Sequence, residues 1–419
     1  MKKWKHGAVA LLAAAVLFAC TSGAGAAASA AVSSGGSASG AASGTAGAGS
    51  GSSGGAQSGA SGSAATPPAV TTTAKSAVLA EQSTGRILYE NNPHEKMYPA
   101  SISKIMTELL VLEAIENGKL HFTDKVSVSA HASSMGGSDI WLEPGEVMTV
   151  LDLFKAMVVN SANDAAVALA EKVAGSEPAF VNLMNRKAKE LGMNDTNFTN
   201  ATGLDADGNL TSAYDVMLMS RELLRHKEIF NYTTIWMDSL RGGKTALFNT
   251  NRLIRFYQGA NGLKTGSTGK AGYCLSGTAL RDGMQLIAVV MNCPTLQERF
   301  TAAGTLLDYG FANWSCVTPK KLSKPLYVDV LHGAQDKVEA VADGNPSVVI
   351  EKGKEDGIQQ KVSLAQNVMA PVEKGQVLGQ ITFWIDGQNA GNVPLRAGQG
   401  VGRLTFGGAF GRIFSAISH

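Results

Sequence analysis

The chain has 419 residues, which is enough for about two domains with additional segments. Hydrophobic residues make up 44% of it and charged residues 17%, so it can bury a sizeable core. The formal net charge is only +2, which gives no reason to expect nucleic acid as a partner.

The first residues have the order of an export signal. A basic stretch, Met1–Lys5, precedes an apolar run over Ala8–Cys20, and Ala28-Ser29-Ala30 offers a cleavage site. The run is too short to span a bilayer, which takes about 20 apolar residues. We therefore predict a signal peptide over residues 1–30 and an exported, extracytoplasmic protein. A lipid on Cys20 is the alternative, although Phe18 fits a lipobox poorly.

Gly, Ala and Ser make up almost the whole segment from Thr21 to about Thr66. Such a composition cannot bury enough apolar surface to offset the entropy lost on ordering. We predict a flexible linker over residues 31–74. This composition is compatible with a spacer that holds a domain away from a surface. It is also compatible with neutral low-complexity sequence.

From Lys75 onward the pattern is that of a folded α+β domain, predicted over residues 75–316. Two short runs, Ala77–Glu81 and Arg86–Glu90, flank a turn-forming segment and predict a β-hairpin. Apolar residues at helical spacing predict helices over Pro99–Asn117, Val150–Val159, Asp164–Gly175, Glu177–Leu191 and Ser212–His226. Three strands and a helix follow, at Gly262–Thr265, Gly272–Leu280, Met284–Met291 and Thr295–Tyr309. Strands at both ends of a helical middle indicate an antiparallel sheet flanked by helices.

Residues 319–397 contain short strand-like runs broken by glycine, which predict a separate small all-β domain. Residues 398–419 form an amphipathic tail in which one helical face carries Phe406, Phe410, Ile413, Phe414 and Ile417. This pattern fits a helix that lies on the membrane surface and makes peripheral membrane contact. It also fits a helix that packs on its own domain.

The first of three short motifs is Ser101-Ile102-Ser103-Lys104, at the predicted start of the first helix. Residues three apart share a helical face, so Ser101 and Lys104 lie side by side. A serine hydroxyl becomes an effective nucleophile when a neighbouring base takes its proton. Burial lowers the pKa of a lysine far enough for it to act as that base. In isolation, however, the pattern is more typical of a solvated helix surface.

The second motif, Ser161-Ala162-Asn163, lies between two predicted helices. The serine could relay a proton to a leaving amine, and the asparagine could hold a peptide carbonyl. Taken alone, the motif favours a simpler interpretation, a turn whose polar residues cap the next helix.

The third motif, Lys264-Thr265-Gly266, lies on a predicted strand. Lys264 offers a positive charge and Thr265 a hydrogen-bond donor for a substrate carboxylate, while Gly266 lets a substrate backbone approach closely. An extended peptide could pair with this strand edge through main-chain hydrogen bonds. An ordinary strand that ends in a glycine turn is the simpler alternative.

The order of the motifs is more informative than any one of them. Ser-x-x-Lys, a Ser-x-Asn segment and Lys-Thr-Gly occur in this order in penicillin-binding proteins and class A β-lactamases. The chain resembles the low-molecular-mass D-alanyl-D-alanine carboxypeptidases, serine peptidases of the penicillin-binding type, and in particular their sporulation-associated branch. The similar segments are Tyr98–Thr107, Ser161–Ala166, Gly262–Thr268 and Ala271–Leu275.

This resemblance implies a transpeptidase/β-lactamase-like catalytic domain that acts on peptidoglycan stem peptides, with β-lactam antibiotics as covalent inhibitors and no metal or organic cofactor. Ser101 is the implied nucleophile, Lys104 its general base and Ser161 the proton donor to the leaving D-alanine. Backbone N–H groups of Ser101 and Ser267 would stabilise the oxyanion. The implied substrate-binding residues are Asn163, Lys264, Thr265, Gly266, Ser267 and Arg299. For Arg299, a surface charge is at least as good an interpretation.

The sequence departs from the family pattern at two places. Ala162 replaces the more usual glycine, and Gly208–Ser212 lacks a histidine that relatives often carry there. A class A β-lactamase would also need a Glu-x-x-Leu-Asn segment to activate water, which the sequence lacks. A transpeptidase would differ only in the group that accepts the acyl chain. A non-catalytic cell-wall binding protein would not need both Ser101 and Lys104.

Overall fold

The computed structural model describes residues 70–318, 324–342, 347–385, 387–408 and 410. Three predicted segments lie outside these residues: the signal peptide, nearly all of the linker and most of the second half of the tail. In the part that is described, no helix is both long enough and apolar enough to cross a bilayer.

The first domain contains short and long strands, and all the pairings among them are antiparallel. In chain order they are β1 (Ser76–Glu81), β2 (Ile87–Asn91), β3 (Lys125–Ser127), β4 (Val147–Thr149), β5 (Met237–Leu240), β6 (Thr245–Phe248), β7 (Ala260–Thr268), β8 (Gly272–Arg281) and β9 (Met284–Cys293). The central sheet has five antiparallel strands in the order β2-β1-β9-β8-β7. The third motif therefore lies on an edge strand, β7, as an edge-pairing substrate requires.

Helices cover both faces of this sheet. They are α1 (Lys104–Glu116), α2 (Ala130–Ser133), α3 (Val150–Asn160), α4 (Asn163–Ala174), α5 (Glu177–Glu190), α6 (Ala213–Leu223), α7 (Phe230–Thr233), α8 (Leu253–Phe256) and α9 (Leu296–Asn313). The predicted α+β class, with an antiparallel sheet flanked by helices, is confirmed. Each predicted helix and strand has a counterpart within a few residues.

The central strand β9 shows how one sequence serves two cores. Because successive side chains point to opposite faces of a strand, Ile287 and Val289 join the larger apolar cluster with α1 and α3–α6. Leu286 and Ala288 join a second cluster with α9. The sheet is therefore buried on both faces, and the larger cluster lies directly beneath the motif-bearing helices.

A small all-β domain follows, as predicted. Its strands are β10 (Trp314–Val317), β11 (Leu326–Leu331), β12 (Lys337–Ala342), β13 (Val348–Glu351), β14 (Gln359–Leu364), β15 (Asn367–Met369), β16 (Val377–Ile385) and β17 (Gln388–Ala397). Six of them form one sheet in the order β14-β16-β17-β12-β11-β15, in which only β11 and β15 are parallel. The other two, β10 and β13, pair with each other.

The predicted limits of this domain, residues 319–397, remain a prediction, and backbone pairing crosses both of them. Residues 314–317, assigned largely to the first domain, form β10 and pair with β13. At the other end, Val401 is buried and exchanges two backbone hydrogen bonds with Val372, so the domain continues past Ala397 into the predicted tail. Long-range pairing of this kind leaves no local pattern from which a boundary could be predicted.

Candidate active site

The first motif lies on a 3₁₀ turn, Ala100–Ser103, that leads into α1. The sequence predicted Ser101 in the first turn of the α-helix itself. Ala100 has a left-handed φ of 48°, which non-glycine residues adopt rarely and chiefly where the surrounding structure enforces it. Gly203 lies so close to this turn that a Cβ on it would be 1.7 Å from the Ala100 carbonyl oxygen. Ser101 is partly exposed, while the rest of the turn is buried.

The amine of Lys104 is fully buried beside Ser101. Its Nζ lies 3.0 Å from Ser101 Oγ, 2.5 Å from Asn163 Oδ1 and 2.8 Å from the Thr202 carbonyl oxygen. The two carbonyl oxygens can only accept, so they take two N–H groups of Lys104. A neutral amine has two such groups and one lone pair, so this arrangement leaves the lone pair for the Ser101 hydroxyl.

The second motif is buried between α3 and α4. Ser161 ends α3 with a left-handed φ of 61°, and its Oγ accepts a hydrogen bond from Lys264 Nζ at 2.8 Å. Besides accepting from Lys104, Asn163 donates through Nδ2 to the Gly136 carbonyl oxygen at 2.6 Å. The N-cap of α4 is Ala162, without a side-chain cap. The polar side chains of the motif therefore face other parts of the site rather than capping the helix.

The third motif is almost fully buried on the edge strand β7. Lys264 Nζ donates to the Thr265 carbonyl oxygen at 3.1 Å in addition to Ser161. The Thr265 hydroxyl lies 2.7 Å from that of Thr250. Lys104 thus connects the first motif to the second, and Lys264 connects the third to the second. All three motifs meet at the loop between α3 and α4.

Other parts of the protein occupy the space beside Gly266 where a side chain would lie. A Cβ there would lie 3.0 Å from Ala100 Cβ and 3.1 Å from the backbone nitrogen of Ile102. The missing side chain therefore lets β7 pack against the 3₁₀ turn, whereas the sequence suggested that it made room for a substrate backbone. Ser267, the next residue of β7, is exposed.

Arg299 is buried rather than a surface charge. It lies on α9, and its Nη1 donates to the Gly266 carbonyl oxygen at 3.1 Å. Its guanidinium stacks near the rings of Tyr273 and Phe300, with 5.7 Å and 4.8 Å to the ring centroids. Its Nε has no hydrogen-bond partner among the described residues. Arg299 thus contacts the backbone of β7 from α9, at Gly266, the residue that follows Thr265.

Burial shifts the protonation equilibria of both lysines in the same direction. The pKa of Lys104 is lowered well below its usual value, first by burial and then by the positive charge of Lys264. Glu108, Asp139 and Asp164 oppose that shift. Burial also lowers the pKa of Lys264 to about 8. A lysine that can be neutral near pH 7 can act as a general base.

Three further residues belong to the site and were not among the predicted site residues. Thr202 contributes a carbonyl oxygen, and no sequence signal indicates such a role. Asp164 accepts hydrogen bonds from the backbone N–H groups of Ile140 and Leu142, which fixes the loop over the second motif. Glu108 is fully buried on α1. Its charge, four residues after Lys104 on a helix whose other residues are mostly apolar, is a signal that could have been noticed.

Two family profiles match consecutive parts of the chain. Residues 61–295 match the D-alanyl-D-alanine carboxypeptidase family, peptidase family S11. Residues 319–403 match the C-terminal domain of penicillin-binding protein 5, which agrees with the end of the β domain in the structure. The chain is 42% identical to the D-alanyl-D-alanine carboxypeptidase DacF of Bacillus subtilis over 338 residues, covering 80% of this chain and 87% of that one.

Solved structures lead to the same family. The chain is similar to penicillin-binding protein 5 from Haemophilus influenzae, with a TM-score of 0.70, 33% identity, and 81% of this chain and 100% of that one covered. It is also similar to penicillin-binding protein D2 from Listeria monocytogenes in its ampicillin-bound form, with a TM-score of 0.52, 36% identity, and 58% and 100% covered. The chain belongs to the D-alanyl-D-alanine carboxypeptidase family of serine hydrolases.

Proposed function

We propose that this chain removes the terminal D-alanine from peptidoglycan stem pentapeptides through an acyl-enzyme on Ser101. The observation that carries the proposal is the 3.0 Å contact between Lys104 Nζ and Ser101 Oγ. It joins a partly exposed hydroxyl to a fully buried amine whose other two acceptors are already fixed. Covalent catalysis generally uses a nucleophile and a base at hydrogen-bond distance, with further groups that orient the base.

In the acylation step, neutral Lys104 takes the proton of the Ser101 hydroxyl. Ser101 Oγ attacks the carbonyl carbon between the two D-alanines, and a tetrahedral oxyanion forms. The backbone N–H groups of Ser101 and Ser267 stabilise that oxyanion, a contribution of about 3–4 kcal/mol per donor in other enzymes. Asn163, whose Nδ2 and Oδ1 both lie in the site, orients the stem peptide.

The leaving D-alanine needs a proton on its nitrogen. Ser161 supplies it and takes in return the proton that Lys104 removed from Ser101, so that Lys104 is neutral again. Because Lys264 already donates to Ser161 Oγ at 2.8 Å, the hydroxyl proton of Ser161 is free to point elsewhere. Lys264 and Thr265 bind the terminal carboxylate of the substrate, and Gly266 and Arg299 hold their strand in place from behind. Water then hydrolyses the Ser101 ester and releases the shortened peptide.

The decisive experiment is labelling with a fluorescent penicillin, because such a compound carries both a strained amide and a carboxylate. Wild-type protein should form a covalent adduct, and Ser101→Ala should form none. Ser103→Ala is the matched control, since Ser103 lies on the same turn but is buried. It should still be labelled. An adduct that persists in Ser101→Ala would show that another residue is the nucleophile.

We further propose an extracytoplasmic location at the cell wall, with residues 1–30 as an export signal and a role in sporulation. The family acts on peptidoglycan, which lies outside the cytoplasm.

We also propose that the tail contacts the membrane surface, since Phe406 is 88% exposed and Phe410 is 56% exposed. Sedimentation with anionic lipid vesicles tests the tail. Equal binding by the full chain and by a chain ending at residue 403 would contradict this role.

A further inference from the structure

Residues 200–205 form a loop that lies beside the first motif, and we call it the 200–205 loop. Hydrogen bonds within the loop fix its shape. Asn200 Oδ1 accepts from the backbone N–H groups of Thr202 and Gly203, at 3.2 Å and 2.6 Å. Asn200 Nδ2 donates to the Leu204 carbonyl oxygen at 3.0 Å. A loop bound internally in this way holds a defined position against whatever its outer residues contact.

The 200–205 loop contacts both reacting groups of the first motif. The Thr202 carbonyl oxygen accepts a hydrogen bond from Lys104 Nζ at 2.8 Å. Gly203 packs on the turn that carries Ser101, where a Cβ on it would lie 1.7 Å from the Ala100 carbonyl oxygen and 3.0 Å from the Ser101 nitrogen. The loop therefore supports the base through one residue and the nucleophile's turn through the next.

Asp205, the last residue of the loop, joins it to the end of β7. Its Oδ1 accepts a hydrogen bond from the Thr268 hydroxyl at 2.7 Å, and its Oδ2 lies 3.4 Å from the backbone nitrogen of Lys270. The Thr268 hydroxyl oxygen also accepts from the Ala271 N–H at 3.0 Å. A hydroxyl has one proton to donate, so that of Thr268 goes to Asp205. A bond to an ionised carboxylate is stronger than one between neutral groups.

The end of β7 needs such a connection because β7 is an edge strand. Pairing with β8 fixes Ser267 within its own hairpin, but it does not fix that hairpin against the turn of Ser101. Two contacts do this on either side of Ser267. Gly266 packs on the turn, and Thr268 is bound to the 200–205 loop.

We propose that Asp205 is a positioning residue whose hydrogen bond with Thr268 sets the spacing of the two oxyanion donors, the backbone N–H groups of Ser101 and Ser267. One donor lies on the turn against which Gly203 packs, and the other precedes Thr268 on β7. This inference rests on the proposed function, which assigns the oxyanion to these two groups. Asp205 is exposed, transfers no proton and acts through Thr268.

Asp205→Ala should slow the reaction without weakening substrate binding. Removing an oxyanion donor outright costs about 100- to 1000-fold in rate, so displacing one should cost less, about 10- to 100-fold. The oxyanion is present only around the transition state, so kcat for a D-alanyl-D-alanine peptide should fall while KM stays nearly unchanged. The rate of acylation by a fluorescent penicillin should fall by a similar factor.

Two further variants identify the hydrogen bond as the cause. Asp205→Asn keeps an acceptor oxygen at the same length, so it should restore most of the rate that Asp205→Ala loses. Thr268→Val removes the hydroxyl and keeps the shape of the side chain, and it should be slowed at least as much as Asp205→Ala. In the Thr268→Val background, Asp205→Ala should have no additional effect, because both changes remove one interaction. Thr268→Val also provides the test if Asp205→Ala folds poorly.

Asp207→Ala is the matched control. Asp207 lies two residues further along, its side chain is 100% exposed, and its carboxylate is 3.6 Å from Lys270 Nζ. This variant removes an equal charge and should match the wild type in kcat and in acylation rate. All rates are measured on variants whose circular dichroism matches that of the wild type, and they are normalised to the amount of protein that is finally labelled.

An acylation rate of Asp205→Ala within about twofold of the wild type would overturn the inference. So would an Asp205→Asn variant as slow as Asp205→Ala, or effects of Asp205→Ala and Thr268→Val that multiply in the double variant. Labelling of Ser101→Ala tests the proposed function separately. If Ser101→Ala is not labelled and Asp205→Ala is as fast as the wild type, Ser101 remains the nucleophile and Asp205 has no positioning role. If Ser101→Ala is still labelled, the proposed function fails whatever the rate of Asp205→Ala.

Discussion

Lys264 donates a hydrogen bond to Ser161 across 2.8 Å, although 103 positions of sequence separate the two residues. Lys104 reaches the neighbouring Asn163 in the same way, across 59 positions. Both lysines are therefore anchored to the loop between α3 and α4, one from a helix and one from an edge strand. This loop therefore joins Lys104, which lies beside the proposed nucleophile Ser101, and Lys264, the proposed carboxylate-binding residue, in a single site.

Lys264→Ala should weaken the enzyme chiefly in substrate binding. Truncating a buried charge that pairs with a ligand carboxylate costs about 2–4 kcal/mol, or roughly 30- to 1000-fold. We expect kcat/KM for a D-alanyl-D-alanine peptide to fall by this factor, with a raised KM. Steady-state kinetics at pH 7 measures it. Lys337→Ala, on the β domain with a side chain that is 64% exposed, is the control and should match the wild type. An unchanged KM in Lys264→Ala would remove Lys264 from the carboxylate site.

Lys104→Arg tests whether Lys104 acts as a base or only as a hydrogen-bond donor. The burial of Lys104 lowers its pKa well below 10.5, so in the wild type acylation should rise with pH through a value well below that of a free lysine. Arginine keeps donors but cannot lose its proton in a protein. We therefore expect the rate of penicillin acylation to fall about 100- to 10,000-fold at every pH. Lys104→Met, which also lacks a base but is not larger, should show the same loss. An acylation rate within tenfold of the wild type in either variant contradicts the role of base.

Local sequence patterns were sufficient for most of the fold, whereas the candidate site followed from the order of the three motifs and from the resemblance to a family. Ser101 and Lys104 share a helix turn, so their contact follows from spacing alone. The meeting of Lys264 with Ser161 followed only from the order of the three motifs, since no physical pattern in the sequence pairs residues so far apart. The resemblance to a family supplied what periodicity could not.

Other features depend on close packing that no local pattern encodes. Ala100, with its left-handed φ, lies in a turn that Gly203 and Gly266 approach closely from two segments distant in sequence. Thr202 enters the site through a backbone carbonyl, which every residue possesses. The burial of Arg299 behind β7 likewise depends on where α9 lies against the sheet. An arginine at the start of a helix is more often exposed, so the sequence left this open.

Gly266→Ala should disturb the nucleophile although residue 266 carries no reactive group. Its Cβ would lie 3.0 Å from Ala100 Cβ and 3.1 Å from the Ile102 nitrogen, so β7 and the 3₁₀ turn must move apart by a few tenths of an ångström. Overpacking of this kind costs about 1–3 kcal/mol. We expect a lower melting temperature and a penicillin acylation rate reduced about tenfold, since small misplacements of reacting groups are costly.

Gly269→Ala is the matched control for this change. Residue 269 lies just beyond the same strand, and a Cβ there would meet nothing within 4 Å. It should therefore match the wild type in both melting temperature and acylation rate. Equal effects of the two substitutions would show that loss of glycine flexibility, rather than contact with the Ser101 turn, is responsible.

Glu146→Gln should reveal how the loop over the second motif is held. Glu146 accepts two hydrogen bonds from Arg241, at 2.7 Å and 2.9 Å, and Arg241 also donates to the Ile140 carbonyl oxygen at 2.8 Å. The neighbouring N–H of Ile140 binds Asp164, so the ion pair and the second motif hold the same loop. We expect the free energy of unfolding to fall by about 1 kcal/mol at pH 7, measured by urea denaturation.

The pH dependence of this loss has a definite sign. The hydrogen bonds from Arg241 lower the pKa of Glu146 below its usual 4.5. Between the folded and the unfolded pKa the unfolded chain binds more protons, so the stabilisation is complete above about pH 4.5 and disappears as the pH falls through the folded pKa. The stability difference between wild type and Glu146→Gln should therefore shrink on acidification below that pH. Glu143→Gln, at an exposed position of the same loop, should show no such trend. A difference that stays constant from pH 7 to pH 3 would mean that the charge of Glu146 contributes nothing to the stability of the protein.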